Sequence, residues 1–249
     1  MILETMTSGE VAALDRNLVV VIPTGSLEQH GPHLPLFTDS LLVTHVARAV
    51  EAKLPEKLLI TPTLWLGASG HHLAFAGSLS ATPHAYMDHI ASLVQALTQH
   101  GFYKFYVLNG HGGNTELNGL ALRGLKEANP DLQVGHSGYF AFAADAVAQT
   151  LSGPLKEIKH ACEAETSMMM HIHPELVRTE NLVDDGFYCD PPVRGMIWMF
   201  DQQTEGGSLG YATLATADKG RILLDAAING IVQELGALAD GVALVERPR

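Results

Sequence analysis

The sequence has little cysteine, and its two cysteines do not form a metal-binding pattern. Cys162 and Cys189 stand in unrelated surroundings among 249 residues, without CxxC spacing. This excludes a zinc site built from thiolates, because such sites need several closely spaced cysteines. The low count is also typical of a protein from a reducing compartment.

Basic residues are scarce as well. The chain carries 15 lysines and arginines against 27 aspartates and glutamates, which gives a formal charge of −12. Binding to a nucleic-acid backbone depends on basic side chains that replace the counterions of the phosphates. The sequence has no basic stripe of this kind, so we expect no nucleic-acid partner.

Long hydrophobic runs and an N-terminal leader are also lacking. The longest apolar run is far shorter than the ~18–20 residues that a membrane-spanning helix requires. The first residues, Met1 to Glu4, contain no basic region, and no apolar core of signal-peptide length follows them. We therefore expect a cytoplasmic protein without a membrane partner.

What is present is a regular alternation of apolar strands and amphipathic helices, in a chain that is 47% hydrophobic. The patterns predict strands at 18–23, 58–66, 102–108 and 132–134, and helices at 8–14, 39–53, 86–97, 116–128, 163–170 and 218–238. This rhythm is typical of a three-layer α/β/α sandwich with a mostly parallel central sheet. We expect a single domain over residues 1–249, with 173–210 crossing the active face.

Polar side chains collect where the first predicted strand ends. The stretch GSLEQHGPHLPLFTD, residues 25–39, follows a purely apolar run. Glu28 and His30 are two positions apart, so in an extended segment they point the same way. Asp39 begins the next predicted helix, from which its carboxylate can return toward the strand end. Ligands of such sheets bind beyond the carboxyl ends of the strands, which favours a functional role.

A second polar turn, NGHGGN, follows the third predicted strand and contains His111. Each stretch alone could be a solvated loop or a turn with a capping histidine. Together they bring two carboxylates and two imidazoles to equivalent strand ends, a set that suits zinc or manganese. The residues are sufficient for one enclosed ion, or for two ions bridged by a carboxylate and water.

Four stretches in order resemble the signatures of the creatininase family of metal-dependent amidohydrolases: GSLEQHGPHLPLFTD, NGHGGN, HACEAETSMMM and GYATLATADKG. The resemblance implies the same three-layer fold and two divalent ions, most commonly zinc, with manganese or iron as alternatives. It implies that Glu28, Asp39 and His111 hold one ion. His30 and Asp39 would hold the second, with Asp39 as the bridge.

The sequence departs from the family at the turn after the third strand. Creatininase carries histidine, an aromatic residue and then a metal-binding glutamate there, whereas this chain has His111, Gly112 and Gly113. We expect Glu165 to replace the missing ligand, because it matches the family motif. Glu163 is the competitor, but residues two apart on a helix face different directions.

Other positions have expected roles through the same resemblance. Ser69 and His72 match a loop that lines the substrate, and the Gly112 and Gly113 amides could stabilise an oxyanion. His160 matches the catalytic histidine and is expected to protonate the leaving nitrogen.

Glu163 is the alternative acid for this proton transfer. His33 is expected to fix the loop by a hydrogen bond and not to bind metal. The paired tryptophans of true creatininases have no counterpart, since Trp65 and Trp198 are far apart in sequence.

These features together predict a metal-dependent hydrolase of a small-molecule C–N bond in a cyclic amide, a formamide or a short peptide amide. The alternatives are a creatinine amidohydrolase proper and a non-catalytic metal-binding protein that keeps the fold. We also expect a homo-oligomer, and the resemblance to the family implies a hexamer. The final helix supports this with an apolar set wider than one face requires: Ile222, Leu223, Leu224, Ala227 and Ile231.

Overall fold

The centre of the computed structural model is a four-stranded parallel sheet. The structure describes residues 1–185, Val193 and residues 195–241, so Cys189 and part of the 173–210 stretch lie outside it. The strands are β1 (Val19–Thr24), β2 (Leu58–Ile60), β3 (Lys104–Asn109) and β4 (Gln133–Gly138), in the order β2-β1-β3-β4. All neighbouring pairs are parallel, which confirms the predicted kind of sheet.

Helices cover both faces of this sheet. They are α1 (Ser8–Ala12), α2 (Thr38–Lys53), α3 (Pro83–Gln99), α4 (Thr115–Ala128), α5 (Ala144–Thr150), α6 (Glu163–Ile172) and α7 (Ala217–Ala239). Buried residues of α2, α5, α6 and α7 share one core, while those of α3 and α4 share the other. The predicted three-layer α/β/α sandwich is therefore confirmed.

The position of strand β1 explains why apolar and polar residues do not alternate in its sequence. Val19 and Val21 belong to the core under α2 and α7, whereas Val20 and Ile22 belong to the core under α3 and α4. A strand that is covered on both faces has no polar side to present to water.

Several boundaries differ from the sequence prediction. The predicted strand at 58–66 ends as β2 at Ile60, two residues before Pro62, which has no N–H to donate to a neighbouring strand. Only an isolated bridge between Thr24 and Leu64 continues the pairing. Helix α5 was not predicted, and neither was the short antiparallel pair β5 (Asp184–Asp185) and β6 (Gly210–Tyr211).

Helix α7 is a core helix. Its apolar residues therefore do not provide the exposed surface on which the predicted oligomer was based. Leu223, Leu224, Ala227 and Ile231 are buried inside the chain, and only Ile222 of that set is exposed. The helix would be long and apolar enough to cross a membrane by length and composition alone. Its apolar surface is used instead against α6, α2 and the segment before α5.

The strand order also fixes where a site can form. The chain passes from β1 to β2 on one side and then returns to β3 on the other side of β1. Thr24 and Asn109, the last residues of β1 and β3, lie side by side. The loops that follow them diverge from this switch point and leave a crevice between them.

Candidate metal centre

Three predicted ligands meet at the end of β1 and β3. Glu28 comes from the loop after β1, Asp39 from the first turn of α2, and His111 from the turn after β3. His111 Nδ1 lies 3.2 Å from Glu28 Oε1 and 3.0 Å from Asp39 Oδ2. All three side chains are buried, and their ligand atoms lie within 4.8 Å of one another. We call these residues the first group.

A second group lies on the other side of Asp39. It consists of His30, His160 and Glu165, whose ligand atoms also lie within 4.8 Å of one another. His30 Nε2 is 3.0 Å from Asp39 Oδ1, while Asp39 Oδ2 faces His111. One carboxylate therefore contacts both groups through its two oxygens. Ser26 Oγ donates a hydrogen bond to Asp39 Oδ2 at 2.8 Å and fixes its orientation.

Backbone carbonyl groups fix the tautomers of these histidines. His30 Nδ1 donates to the Glu28 carbonyl oxygen at 3.1 Å, and His160 Nε2 donates to that of Gln29 at 2.6 Å. His111 Nε2 faces the Ala68 carbonyl oxygen at 3.4 Å. In the neutral form of each ring, the other nitrogen therefore turns a lone pair toward the carboxylates. This pattern is typical of histidines that bind metal.

The carboxylate of Glu28 gives an independent test of whether a cation fits. It is fully buried, and within the described part of the chain both oxygens lack a hydrogen-bond partner. His111 Nδ1, His72 Nε2 and His160 Nδ1 approach Oε1 at 3.2, 3.3 and 3.7 Å. Burying a carboxylate without hydrogen bonds costs free energy. The charge of a divalent cation would offset this cost. The donor set, oxygen and imidazole nitrogen without thiolate, fits zinc or manganese.

The pKa values show how the metal-free protein balances the same charges. Burial alone would lower the pKa of His30, but the charge of Asp39 outweighs it and raises the pKa to about 9. Burial is likewise outweighed at His111, whose pKa Glu28 and Asp39 hold well above its usual range. Burial raises the pKa of Glu165 to about 8 despite the opposing charge of His30. Protons on these groups thus supply the positive charge that the carboxylates require.

The asparagines of NGHGGN hold the loops of the site together, a role that the sequence analysis missed. Asn109 Oδ1 accepts from the His111 backbone N–H at 3.1 Å, and its Nδ2 donates to the His111 carbonyl oxygen at 2.6 Å. Asn114 joins two other loops, donating to the Gly25 carbonyl oxygen and accepting from the Ala68 N–H. The position of these asparagines beside the glycines of the turn was the sequence feature that could have indicated this role.

The turn after β3 has no room for the glutamate found in creatininase. A Cβ atom at Gly113 would lie 2.5 Å from His111 Nε2 and 2.6 Å from the Ala68 carbonyl oxygen. It would also lie 2.8 Å from the ring of His71. Gly113 therefore cannot be replaced by a side-chain ligand without moving His111.

Of the two candidate glutamates on α6, only Glu165 reaches the site. Glu163 turns away, accepting from the backbone N–H groups of Ser152 and Gly153 and from Lys219 Nζ at 2.6 Å. This buried ion pair connects α6 with the start of α7. The expectation that Glu163 could act as the proton donor does not fit its position, because its carboxylate is already paired outside the pocket.

A pocket of about 300 Å³ opens beside the two groups. Besides predicted metal ligands, its lining includes four residues that were predicted to contact the substrate or transfer protons: His72, His160, Gly112 and Gly113. Ser69 is not among them, because it is buried behind His111 with its Oγ 3.4 Å from Nε2. His33 lies outside the lining as well, where its Nε2 is 2.9 Å from Thr166 Oγ1.

The pocket also contains aromatic residues that the sequence analysis did not identify. Phe200 stacks on His72 with ring centroids 4.2 Å apart and meets His160 edge-on at 4.6 Å. His71 stacks on His111 with centroids 5.6 Å apart. With Phe140 they form the aromatic part of the wall, and neither Trp65 nor Trp198 contributes to it.

Known proteins resemble this chain over most of its length. The creatininase family model, described as creatinine amidohydrolase, matches residues 4–235. The mycofactocin precursor peptide peptidase of Mycobacterium tuberculosis is 33% identical over 236 residues, 87% of this chain and 84% of that protein. The creatinine amidohydrolase of Pseudomonas putida is 30% identical over 233 residues, 87% of this chain and 88% of that protein.

Two further matches concern a shorter alignment and the fold. A mycofactocin precursor peptide peptidase of Mycobacterium ulcerans is 36% identical over 66% of this chain, but the alignment covers only 62% of that relative. A crystal structure of creatinine amidohydrolase superposes with a TM-score of 0.82 at 30% identity, covering 94% of this chain and 96% of that one. Other solved creatininases are named as a manganese form and a Zn–Zn type.

Proposed function

The chain belongs to the creatininase family, and we propose that it hydrolyses a small-molecule C–N amide bond with two divalent ions. Amide hydrolysis is the activity named for creatinine amidohydrolase, a member of this family. The first group would hold one ion. His30 and Glu165 would hold the other, and Asp39 would contact both.

One observation carries this proposal. The two oxygens of Asp39 face imidazoles of different groups, at 3.0 Å on each side. His30 and His111 each turn the opposite ring nitrogen toward a backbone carbonyl group. A carboxylate shared in this way is the arrangement that lets two cations lie close together.

Ions bound here would lower the pKa of water and polarise the substrate carbonyl group. The chain itself would then manage protons and exclude water. Burial keeps the pKa of His160 well below its usual value, so the ring is neutral. Its Nδ1 can take a proton from the attacking water and return it to the leaving nitrogen. The Gly112 and Gly113 amides line the pocket where the oxyanion would form.

The lining of the pocket argues against creatinine as the substrate. Phe140, Ile158, Phe200 and Leu209 give it an apolar wall opposite the polar groups. The paired tryptophans and the metal-binding glutamate of creatininase are absent, and the space at Gly113 is filled by His71 and His111. We propose a cyclic amide, a formamide or a short peptide amide. The peptide is favoured by the likeness to the peptidases of mycobacteria.

Metal analysis combined with an amide panel tests the proposal. Protein that is loaded and then freed of loose metal should contain close to two equivalents of zinc, manganese or iron per chain. The panel should include creatinine, formamides and short peptides, each assayed with loaded and metal-free protein. Full activity without metal would refute the mechanism. Two bound ions with no hydrolysis of any amide would favour the non-catalytic alternative.

The localisation, the assembly and the range of partners are also proposals. We propose that the protein is cytoplasmic and forms a homo-oligomer, a hexamer, without nucleic-acid or membrane partners. The acidic charge of −12 supports the absence of a nucleic-acid partner. The assembly is supported only by the likeness to the family, because the apolar face of α7 is used inside the chain. Light scattering at micromolar concentration would test the assembly, and a monomer would refute it.

A further inference from the structure

Gln29 lies between two histidines of the site, His72 and His160. Its side chain is buried, with its Nε2 2.9 Å from His72 Nδ1. Its own backbone carbonyl oxygen lies 2.6 Å from His160 Nε2. A single residue therefore contacts one ring through its side chain and the other through its backbone.

The orientation of the Gln29 carboxamide is fixed by its other end. The Gly31 backbone N–H donates to Gln29 Oε1 at 2.9 Å, and an N–H group can only donate. The nitrogen of the carboxamide must therefore be the atom that faces His72. The loop around Gly207 closes over the same oxygen, since a Cβ atom at Gly207 would lie 2.0 Å from it.

This orientation decides the tautomer of His72. The Gln29 amide donates, so His72 Nδ1 must accept, and the hydrogen of the neutral ring is on Nε2. Nε2 lies 3.3 Å from Glu28 Oε1. His72 therefore presents a hydrogen to Glu28 and has no lone pair there for a metal ion. The grouping of Glu28, His72 and His160, which is close enough for an ion by distance, is thereby excluded.

His160 receives the opposite tautomer from the same residue. Two lone pairs at 2.6 Å would repel, so a hydrogen must lie between His160 Nε2 and the Gln29 carbonyl oxygen. The approach of Gln29 Nε2 to the same ring nitrogen, at 3.1 Å, is then a contact between two donors. His160 Nδ1 keeps its lone pair and faces Glu28 Oε1 at 3.7 Å.

We propose that Gln29 is a positioning residue that assigns opposite tautomers to His72 and His160. His72 directs an N–H group toward the Glu28 carboxylate, 3.3 Å away, and His160 becomes an acceptor that is ready for a proton. The tautomers follow from the geometry alone, while their effect on turnover rests on the proposed function. His72 and His160 are adjacent, with ring centroids 4.5 Å apart, and their opposite tautomers give them different roles.

The isosteric variant Gln29→Glu tests the tautomers directly. A carboxylate can only accept, so His72 Nδ1 must gain a hydrogen, while the backbone bond to His160 is unchanged. Nitrogen-15 correlation spectra of the zinc-loaded protein report which ring nitrogen carries hydrogen. We expect His72 to be protonated at Nε2 in the unmodified chain and at Nδ1 in the variant, with His160 the same in both. The His72→Gln variant identifies the signals.

Kinetics and controls complete the test. In Gln29→Glu we expect kcat to fall by about 10- to 100-fold with little change in KM, as is typical for residues that orient a metal site. Gln95→Glu, on the exposed face of α3, changes the charge equally and should leave kcat and spectra unchanged. His72 carrying hydrogen at Nδ1 in the unmodified chain would overturn the proposal even if the variant fails to fold. The spectra do not depend on amidase activity, so the two proposals fail separately.

Discussion

The two groups of candidate ligands are held in different ways. The first group follows the ends of β1 and β3, which are adjacent strands. The second takes His160 and Glu165 from a segment far along the chain, whose helix α6 packs against α7 and α2. Ala161, between them, has a φ of 48°, and its N–H donates to Glu165 Oε2 at 2.6 Å. A left-handed conformation costs a residue with a side chain about 1–2 kcal/mol, so packing must hold it.

The groups also differ in how readily they would accept a metal ion. In the first group the histidine partners outweigh the burial of Glu28 and Asp39 and hold the pKa of each carboxyl well below its usual value. In the second, burial raises the pKa of Glu165 to about 8. The second group must lose a proton from Glu165 before that carboxylate can bind. We therefore expect the first group to bind its ion more tightly.

The largest effect is expected at the residue that the groups share. Asp39→Asn keeps the shape of the side chain but removes the charge between the two ions. We expect loss of at least one ion and a fall in kcat/KM on the order of 10³, since a lost ion removes several kcal/mol of transition-state stabilisation. Elemental analysis and the amide assay measure both.

His33→Ala is the matched control for Asp39→Asn. His33 lies in the loop that leads to Asp39, but its Nε2 is 2.9 Å from Thr166 Oγ1 and it belongs to neither group. This variant should keep two ions per chain. If it loses metal while Asp39→Asn does not, the assignment of ligands is wrong.

A smaller effect is expected from Glu165→Gln, which separates the groups. The first group keeps all its members, so one ion should remain, and activity should fall by roughly 10²-fold as a ligand of the second ion is lost. The metal content should drop from two equivalents toward one. An unchanged second ion would leave another residue or solvent as its ligand.

Glu163→Gln is the control two residues away. It breaks the buried pair with Lys219 Nζ, which lies outside the pocket. We expect a lower unfolding temperature with two ions retained, because the partly buried Lys219 loses its anionic partner. Loss of the second ion in this variant alone would show that Glu163, and not Glu165, is the ligand.

The smallest expected effect is a gradual rise of metal affinity with pH. His30 can bind a metal ion only after Nε2 loses its proton, and in the metal-free protein its pKa is about 9. Between pH 6 and 9 the ion must displace this proton, so His30 alone should raise the affinity by up to about tenfold per pH unit. Above pH 9 the contribution of His30 should level off.

Calorimetry in two buffers with different ionisation enthalpies counts the protons released at pH 7. We expect more than one proton per chain, since without metal the pKa values of His30 and Glu165 are about 9 and about 8, and that of His111 is raised by Glu28 and Asp39. Affinity that does not change between pH 6 and 9 would contradict this view of the site.

Most of the first group could be predicted from the sequence, for a local reason. Glu28 lies in the loop after β1, Asp39 in the first turn of the helix that follows this loop, and His111 in the turn after β3. Parallel strands place their carboxyl ends at one edge, so ligands near those ends meet wherever the strands become neighbours. The same pattern predicted the layers, because a strand that is buried on both faces is apolar throughout.

What the sequence could not determine depends on side-chain contacts between distant segments. The choice between Glu163 and Glu165 was suggested by a family motif, but it is Lys219 and the amides of Ser152 and Gly153 that turn Glu163 away. The apolar face of α7 looked like an interface, yet α6 and the sheet cover it.

The sequence by itself determined the alternation of strands and helices, and the edge of the sheet at which polar side chains gather. These follow from periodicity along the chain. Only the tertiary structure decided that Phe200 covers His72 and His160, and that Gln29 gives these rings opposite tautomers. Tautomers depend on hydrogen bonds between residues far apart in sequence, and these bonds exist only after the loops have packed together.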